Sequence, residues 1–275
     1  MPQKGVTRMA DESSYASIAD ASKPNAGRIY DFVLGGSHNF EVDRQAAQQV
    51  LQQAPFLPKL ARLIRWFLGE AVRRLAADGY AQFIDFASGL PTIDHIHQVS
   101  PAGTKVIYSD IDPVTVAYGQ EILKDNRDAR YVICNAGKPE NLLGATVVSQ
   151  LFGNNRRVAI GFNGIAFFLS DDDVGHAMKV LYDWTDTGSR LFLCDSGFES
   201  TSVSPTLQET FNIYEKLGQP MSFRSLNALK QLIRPWKVRE PGFLPLEEWI
   251  GMKAVVAEET QKADGVAFQG AILER

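Results

Sequence analysis

The chain has 275 residues, of which 45% are hydrophobic and 22% charged, the profile of a globular protein long enough to bury a large core. A net charge of −4 argues against nucleic acid or anionic membrane as the main partner, because both select a positive field. Two cysteines, Cys134 and Cys194, give neither a disulfide framework nor a zinc spacing, and four scattered histidines give no metal constellation.

Residues 1–22 are small, polar and without period, and are expected to form a mobile tail. No signal-type apolar core and no bilayer-length apolar run is present, so a cytoplasmic protein is expected. AGRIYDFVL reads as a short helix stopped by Gly35 and Gly36, and SHNFEVDRQAAQQVLQQA as a second. Pro55 and Pro58 interrupt the chain. In the next stretch Leu60, Leu63, Ile64, Phe67, Leu68, Ala71, Val72 and Leu75 fall at helical spacing. Arg28 and Arg44 read as exposed helix-face charges.

After Gly79 short apolar runs alternate with helical patterns. AQFIDFA, KVIYSDID, ARYVICNA, RRVAIGFNGIAFFL and SRLFLCDSGF read as strands. TIDHIHQVS, PVTVAYGQEILKD, PENLLGATVVSQLF and SDDDVGHAMKVLYDWT read as the helices between and after them. Two helical patches follow, around LQETFNIYEKLG and SLNALKQLI. WKVRE and GVAFQGAILER then read as a closing antiparallel hairpin at the sheet edge. Such alternation predicts an α/β fold, a Rossmann-like parallel sheet with helices on both faces.

Ligands of such sheets sit outside the carboxyl ends of the strands. The residues that close the strands are therefore the candidates: Asp85 with Ala87, Ser88 and Gly89; Asp110 with Ile111 and Asp112; Asn135 with Ala136; Asn163 with Gly164; and Asp195 with Ser196. Asp110 follows Gly89 by 21 residues, the spacing at which a second-strand carboxylate accepts from both ribose hydroxyls. Asp112 reads as a cap for the helix beginning at Pro113. The first turn reads A-S-G-L-P-T, not G-x-G-x-x-G. A ligand carrying adenosine without phosphates therefore fits better than a dinucleotide, and S-adenosylmethionine is such a ligand. Asp85 either holds the turn through backbone N–H groups or meets the ligand's ammonium, Asn135 either pairs with the adenine amine or is a turn residue before Gly137, and Arg65 is a candidate for the ligand carboxylate.

AGRIYDFVLGGSHNFEVDRQAA, QFIDFASGLPT, KVIYSDIDPV and AIGFNGIAFFLSDDD together resemble the actinobacterial-type S-adenosylmethionine-dependent methyltransferases, class I proteins once known only as a domain of unknown function. The resemblance runs from about Pro24 to the end. It implies a seven-stranded class I sheet, a helical cap over 23–79, a cofactor-binding core over 80–275, and an acceptor-side helical insertion over 197–222. The sequence departs from the family at Ala87, where a glycine is usual, at Asn135, where an aspartate is usual, and at Phe167, where a histidine is usual.

The expected activity is methyl transfer to a small molecule by in-line displacement, which needs alignment and water exclusion more than a strong base. Asn163, Tyr30 and His38 are the candidate catalytic residues, and Gly35 and Gly36 are candidates for close backbone approach to the ligand. Phe162, Phe167, Phe168, Phe198, Phe211 and Tyr214 are candidates for lining the acceptor pocket. An alternative keeps the ligand and changes the bond broken: the ligand's own amine attacks the carbon next to sulfur, giving azetidine-2-carboxylate and methylthioadenosine. A second alternative is a non-catalytic S-adenosylmethionine-binding protein. No metal is expected, and the edge hairpin leaves a homodimer open.

Overall fold

The computed structural model describes residues 22–198, 205–216, 218–251 and 266–275; most of the expected tail and parts of the 197–222 segment lie outside them. Three helices come first. Helix α1 (Ala26–Val33) is capped by Asn25, whose side-chain oxygen accepts from the Gly27 and Arg28 amides. It ends where Gly35 takes a φ of 86°. Helices α2 (Glu41–Gln53) and α3 (Leu57–Ala77) follow, with Pro58 in the first turn of α3.

The sheet comprises β1 (Gln82–Phe86), β2 (Lys105–Asp110), β3 (Ala129–Ile133), β4 (Ala159–Asn163), β5 (Arg190–Phe198), β6 (Lys237–Val238), β7 (Leu244–Pro245) and β8 (Val266–Glu274). Its order is β3-β2-β1-β4-β5-β8-β6, with β7 also on β8. The first five strands are parallel to one another, and β8 runs antiparallel to β5, β6 and β7. Phe83, Ile84, Asp85 and Phe86 are all buried, as a parallel strand covered on both faces requires. Between the strands run α4 (Ile96–Val99), α5 (Pro113–Ile122), α6 (Glu140–Leu143), α7 (Thr146–Phe152), a 3-10 turn at Ala166–Phe168, α8 (Asp171–Trp184), α9 (Pro205–Lys216), α10 (Leu226–Leu232) and α11 (Leu246–Trp249).

Helix α3 packs on the sheet itself. Leu63, Phe67, Ala71 and Leu75 share one core with Phe83 of β1, Val106 of β2 and Phe192 of β5. A second core on the other face joins Ile84 and Ile160 to Val174, Met178 and Leu181 of α8. Helix α8 starts as its sequence indicates: the Ser170 side chain accepts from the Asp173 amide, and Asp171, Asp172 and Asp173 occupy the positive end of the helix dipole.

One expected helix is corrected. TIDHIHQVS supplies only the four-residue α4, because Pro91 and the positive φ of Asp94 delay the helix. The closing antiparallel pair lies at the sheet edge, as expected. Strand β8 lies inside, between β5 and β6, because its residues are apolar on both faces: Phe268 and Ile272 join one core, Ala271 and Leu273 the other. Two-residue β6 takes the edge, bracketed by Pro235 and Pro241, which cannot donate to a ladder. Strand β7 was not legible, and raises the expected seven strands to eight.

Candidate functional site

Strand order reverses across β1, which has β2 on one side and β4 on the other. A ligand crevice is expected at the carboxyl end of such a strand. There a cavity of about 510 Å³ opens between the strand ends and helices α1, α3 and α9.

One end of the cavity is polar. Asp110 closes β2, and its two carboxylate oxygens accept from the Gly89 amide at 3.1 Å and the Asp112 amide at 3.0 Å. Burial pushes its carboxyl up to about 6. The turn after β1 carries Ala87 at a φ of 52° and Gly89 at 63°, so Ala87 holds a left-handed conformation that favours glycine. Ser88 is tied back to the Asp85 carbonyl. Just beyond the end of β3, Asn135 uses its side-chain oxygen to accept from the Gly137 amide at 2.9 Å, leaving its NH2 for a ligand.

Asp85 sits deeper. It fits because its β4 neighbour is Gly161, where any Cβ would collide with the Asp85 carboxylate. Burial pushes its carboxyl up to about 7, although the Arg65 charge works the other way. Its Oδ2 is buried without a hydrogen-bond partner, and so are Asn163 Oδ1 and Arg65 Nε. Asn163 donates its other amide atom to the Ile64 carbonyl at 3.2 Å. Arg65 lies across the Tyr30 ring at 5.6 Å, and the Tyr30 hydroxyl donates to the Ala61 carbonyl. Buried polar atoms are nearly always satisfied, so three orphans around one cavity point to a ligand that supplies both donors and acceptors.

The other end is apolar. Leu57, Leu60, Ile64 and Leu68 form a stripe along α3, and Phe168, Phe211, Tyr214, Met221 and Phe223 face it. Phe211 stacks on Phe223 with centroids 4.1 Å apart. The segment after α9 is fastened by Arg224, which donates to Asp171 at 2.8 Å and to the carbonyls of Ala166 and Leu169.

Of the expected site residues, Tyr30, Arg65, Asp85, Ala87, Ser88, Gly89, Asp110, Ile111, Asn135, Ala136 and Asn163 line this cavity. Gly35, Gly36 and His38 are not among its lining residues. Gly36 makes room for the Asp31 carboxylate, which a Cβ there would strike. Asp31 in turn accepts from the His38 amide at 2.9 Å and the Asn39 side chain at 3.0 Å. The His38 ring stands edge-on to Tyr118. The glycine corner therefore approaches a protein carboxylate. Arg28 is also corrected: it is 2% exposed, bonded to Asp43 at 2.8 Å, Asp112 at 3.2 Å and the Lys23 carbonyl at 2.6 Å. Arg44, by contrast, is a half-exposed partner of Glu41. Asp112 does cap α5, accepting from the Thr115 amide. Phe162 belongs to the core and packs near Phe86, while the Phe198 side chain lies outside the described residues.

Sequence reasoning missed the α3 stripe as a cavity wall. Its residues were visible as part of one broad apolar face, which the structure divides between sheet and cavity. It also missed His95, buried against Arg65. Among the described residues no cluster of His, Cys, Asp or Glu could hold a metal ion, and no helix is long and apolar enough to cross a membrane.

The donor set matches S-adenosylmethionine: a carboxylate with free lone pairs for a ribose diol at Asp110, an orphaned carboxylate oxygen for an ammonium at Asp85, and a guanidinium for a carboxylate at Arg65. A Streptomyces avermitilis DUF574 family protein is 24% identical with a TM-score of 0.81, covering 93% of this chain and 99% of that one. A candidate methyltransferase from Thermobifida fusca is 27% identical with a TM-score of 0.80, covering 92% and 96%. The magnesium protoporphyrin IX methyltransferase of Synechocystis, solved with bound S-adenosylhomocysteine, shares the fold at 11% identity and a TM-score of 0.54, covering 95% and 99%. No curated protein matches the chain in sequence. The model of the S-adenosyl methyltransferase family matches residues 12–272; the chain therefore belongs to that family, has its class I fold, and uses S-adenosylmethionine as its cofactor.

Proposed function

We propose that the protein methylates a small, largely apolar molecule held in the aromatic end of the cavity. The observation that carries this reading is the junction of two environments in one space: three orphaned polar atoms at one end and an aromatic-aliphatic wall at the other. Bound S-adenosylmethionine supplies a methyl group on a cationic sulfur, open to in-line attack. Asp110 accepts from the ribose hydroxyls, Ile111 and Ala136 offer apolar surface to the adenine, Arg65 meets the carboxylate and Asp85 the ammonium. Helices α1, α3 and α9 wall the site and align the acceptor with the methyl group. Tyr214 faces the acceptor space with a hydroxyl that burial pushes up to about 12. It therefore keeps its proton and orients the acceptor as a donor; the acceptor brings its own lone pair.

One observation favours a second reading. Asp85 Oδ2 is buried, unpartnered and on a carboxyl that titrates near neutrality, so it can take the proton that the ligand's ammonium must lose before its amine attacks the carbon next to sulfur. The carbon–sulfur bond would break as the nitrogen–carbon bond forms, giving azetidine-2-carboxylate and methylthioadenosine. Incubation of the purified protein with S-adenosylmethionine, read by mass spectrometry, separates the two. Methyl transfer predicts an intact cofactor until an apolar acceptor is added, then S-adenosylhomocysteine. Accumulation of methylthioadenosine without any acceptor would overturn methyl transfer in favour of cyclisation.

A further inference from the structure

Arg28 and Arg65 are both buried, and they are held in opposite ways. Arg28 meets the carboxylates of Asp43 and Asp112. Among the described residues no carboxylate lies within ion-pair distance of Arg65. Its Nη1 instead lies 2.7 Å from His95 Nε2, with His95 fully buried and Arg65 6% exposed. A guanidinium can only donate, so Nε2 must be the acceptor and must lack a proton. Burial, then the adjacent Arg65 charge, holds the imidazole well below its ordinary pKa, so the ring stays uncharged.

His95 is held by its backbone and by an aromatic contact, while its ring Nδ1 is buried without a hydrogen-bond partner. His95 opens α4, where its amide donates to the Gln98 side chain at 2.9 Å, and its ring stands edge-to-face with Tyr108 at 5.5 Å. The Tyr108 hydroxyl is in turn bonded to the His97 amide and ring. On its other side the guanidinium is flanked by the Tyr30 ring. The arginine is thus oriented by an imidazole and an aromatic ring, and Nε remains buried without a partner at the cavity. A carboxylate in the place of His95 would orient Arg65 equally well, but would cancel its charge and compete with an anionic ligand.

We propose that His95 is a positioning residue, which aligns Arg65 as a receptor for the ligand carboxylate without adding a counter-charge to it. This rests on the reading of Arg65 given above. The test compares two ligands by calorimetry: S-adenosylhomocysteine, and S-adenosyl-3-thiopropylamine, which keeps the ammonium and lacks the carboxylate. The wild type should favour the first. In His95→Glu that preference should fall about tenfold or more, equivalent to ~1.4 kcal/mol, with the amine bound as well as before or better. His95→Leu should reduce the preference through misorientation, and His95→Gln, a neutral acceptor, should restore most of it. In the background of Arg65→Leu the His95 substitutions should no longer alter the preference. Thermal unfolding of each variant identifies those that fold, and His95→Gln against His95→Leu suffices if His95→Glu does not.

A purely structural histidine would weaken both ligands in parallel, and that result would overturn the proposal. Equal binding of the two ligands by the wild type would remove the Arg65 role and this proposal together, while adenosine binding stood. Binding of neither would refute the assignment of the site residues as well.

Discussion

The Arg28 cluster and the Arg65 cluster lie within one set of helices, and both bury charge, but one is complete and the other is not. Around Arg28, Asp43 and Asp112 are satisfied by the guanidinium and by backbone amides. Around Arg65, Asp85 Oδ2 and Asn163 Oδ1 have no partner. Paired buried charge ties α1, α2 and the start of α5 into one body, whereas unpaired buried charge keeps a place for something that arrives later. The family motif over residues 28–43 therefore serves mainly to build the wall, and of its expected site residues only Tyr30 reaches the cavity.

The largest expected effect comes from breaking the complete cluster. Arg28→Met leaves two buried carboxylates uncompensated and should cost about 3–5 kcal/mol, read as a loss of denaturation midpoint; a cost below about 1 kcal/mol would show that the clamp is not structural. The opposite pattern is expected at the open cluster. Asp85→Asn should weaken S-adenosylhomocysteine binding by roughly ten- to a hundredfold, the loss of one hydrogen bond to a charged group at ~1.5–3 kcal/mol. It should also stabilise the unliganded protein at pH 8, because an ionised carboxylate no longer has to be buried. A loss of stability with unchanged binding would assign Asp85 to packing.

The pH dependence has a definite sign. Asp85 titrates near 7, and Asp110 and Asp195 near 6, against an ordinary 3.8, chiefly through burial. The folded state then holds more protons than the unfolded chain between about pH 4 and 7, so these groups make stability fall as pH rises through that window. A ligand that brings an ammonium to Asp85 relieves the penalty. The rise in melting temperature with S-adenosylhomocysteine should therefore be larger at pH 8 than at pH 5.5, and the reverse order would contradict the pairing. The smallest effect belongs to Ala87. Ala87→Gly removes the left-handed strain but adds unfolded-state entropy, so chemical denaturation should show a net gain of no more than about 1 kcal/mol.

Much of the site was legible because it lies where strand-end rules apply. Asp85, Gly89 and Asp110 close strands that their apolar runs already identified, and no tertiary knowledge was needed to bring them together. Gly161 was an available signal for Asp85, since a glycine inside a buried strand marks a close approach. Arg28 was not legible. Periodicity places a charge on a helix face, and it says nothing about a partner 84 residues away. The role of His95 was not legible for the same reason, its partner being 30 residues back on α3. The place of β8 was hidden because an antiparallel pairing leaves open which strand lies inside.

Asp85 and its neighbours are, on this reading, the site for the cationic amino-acid end of S-adenosylmethionine. Titration calorimetry of S-adenosylhomocysteine at pH 6.5, in two buffers of different ionisation heat, tests this most directly. Binding accompanied by net proton release in the wild type, and by a smaller release in Asp85→Asn, is the predicted result. Binding with no change in protonation, or with the same release from both proteins, would contradict it.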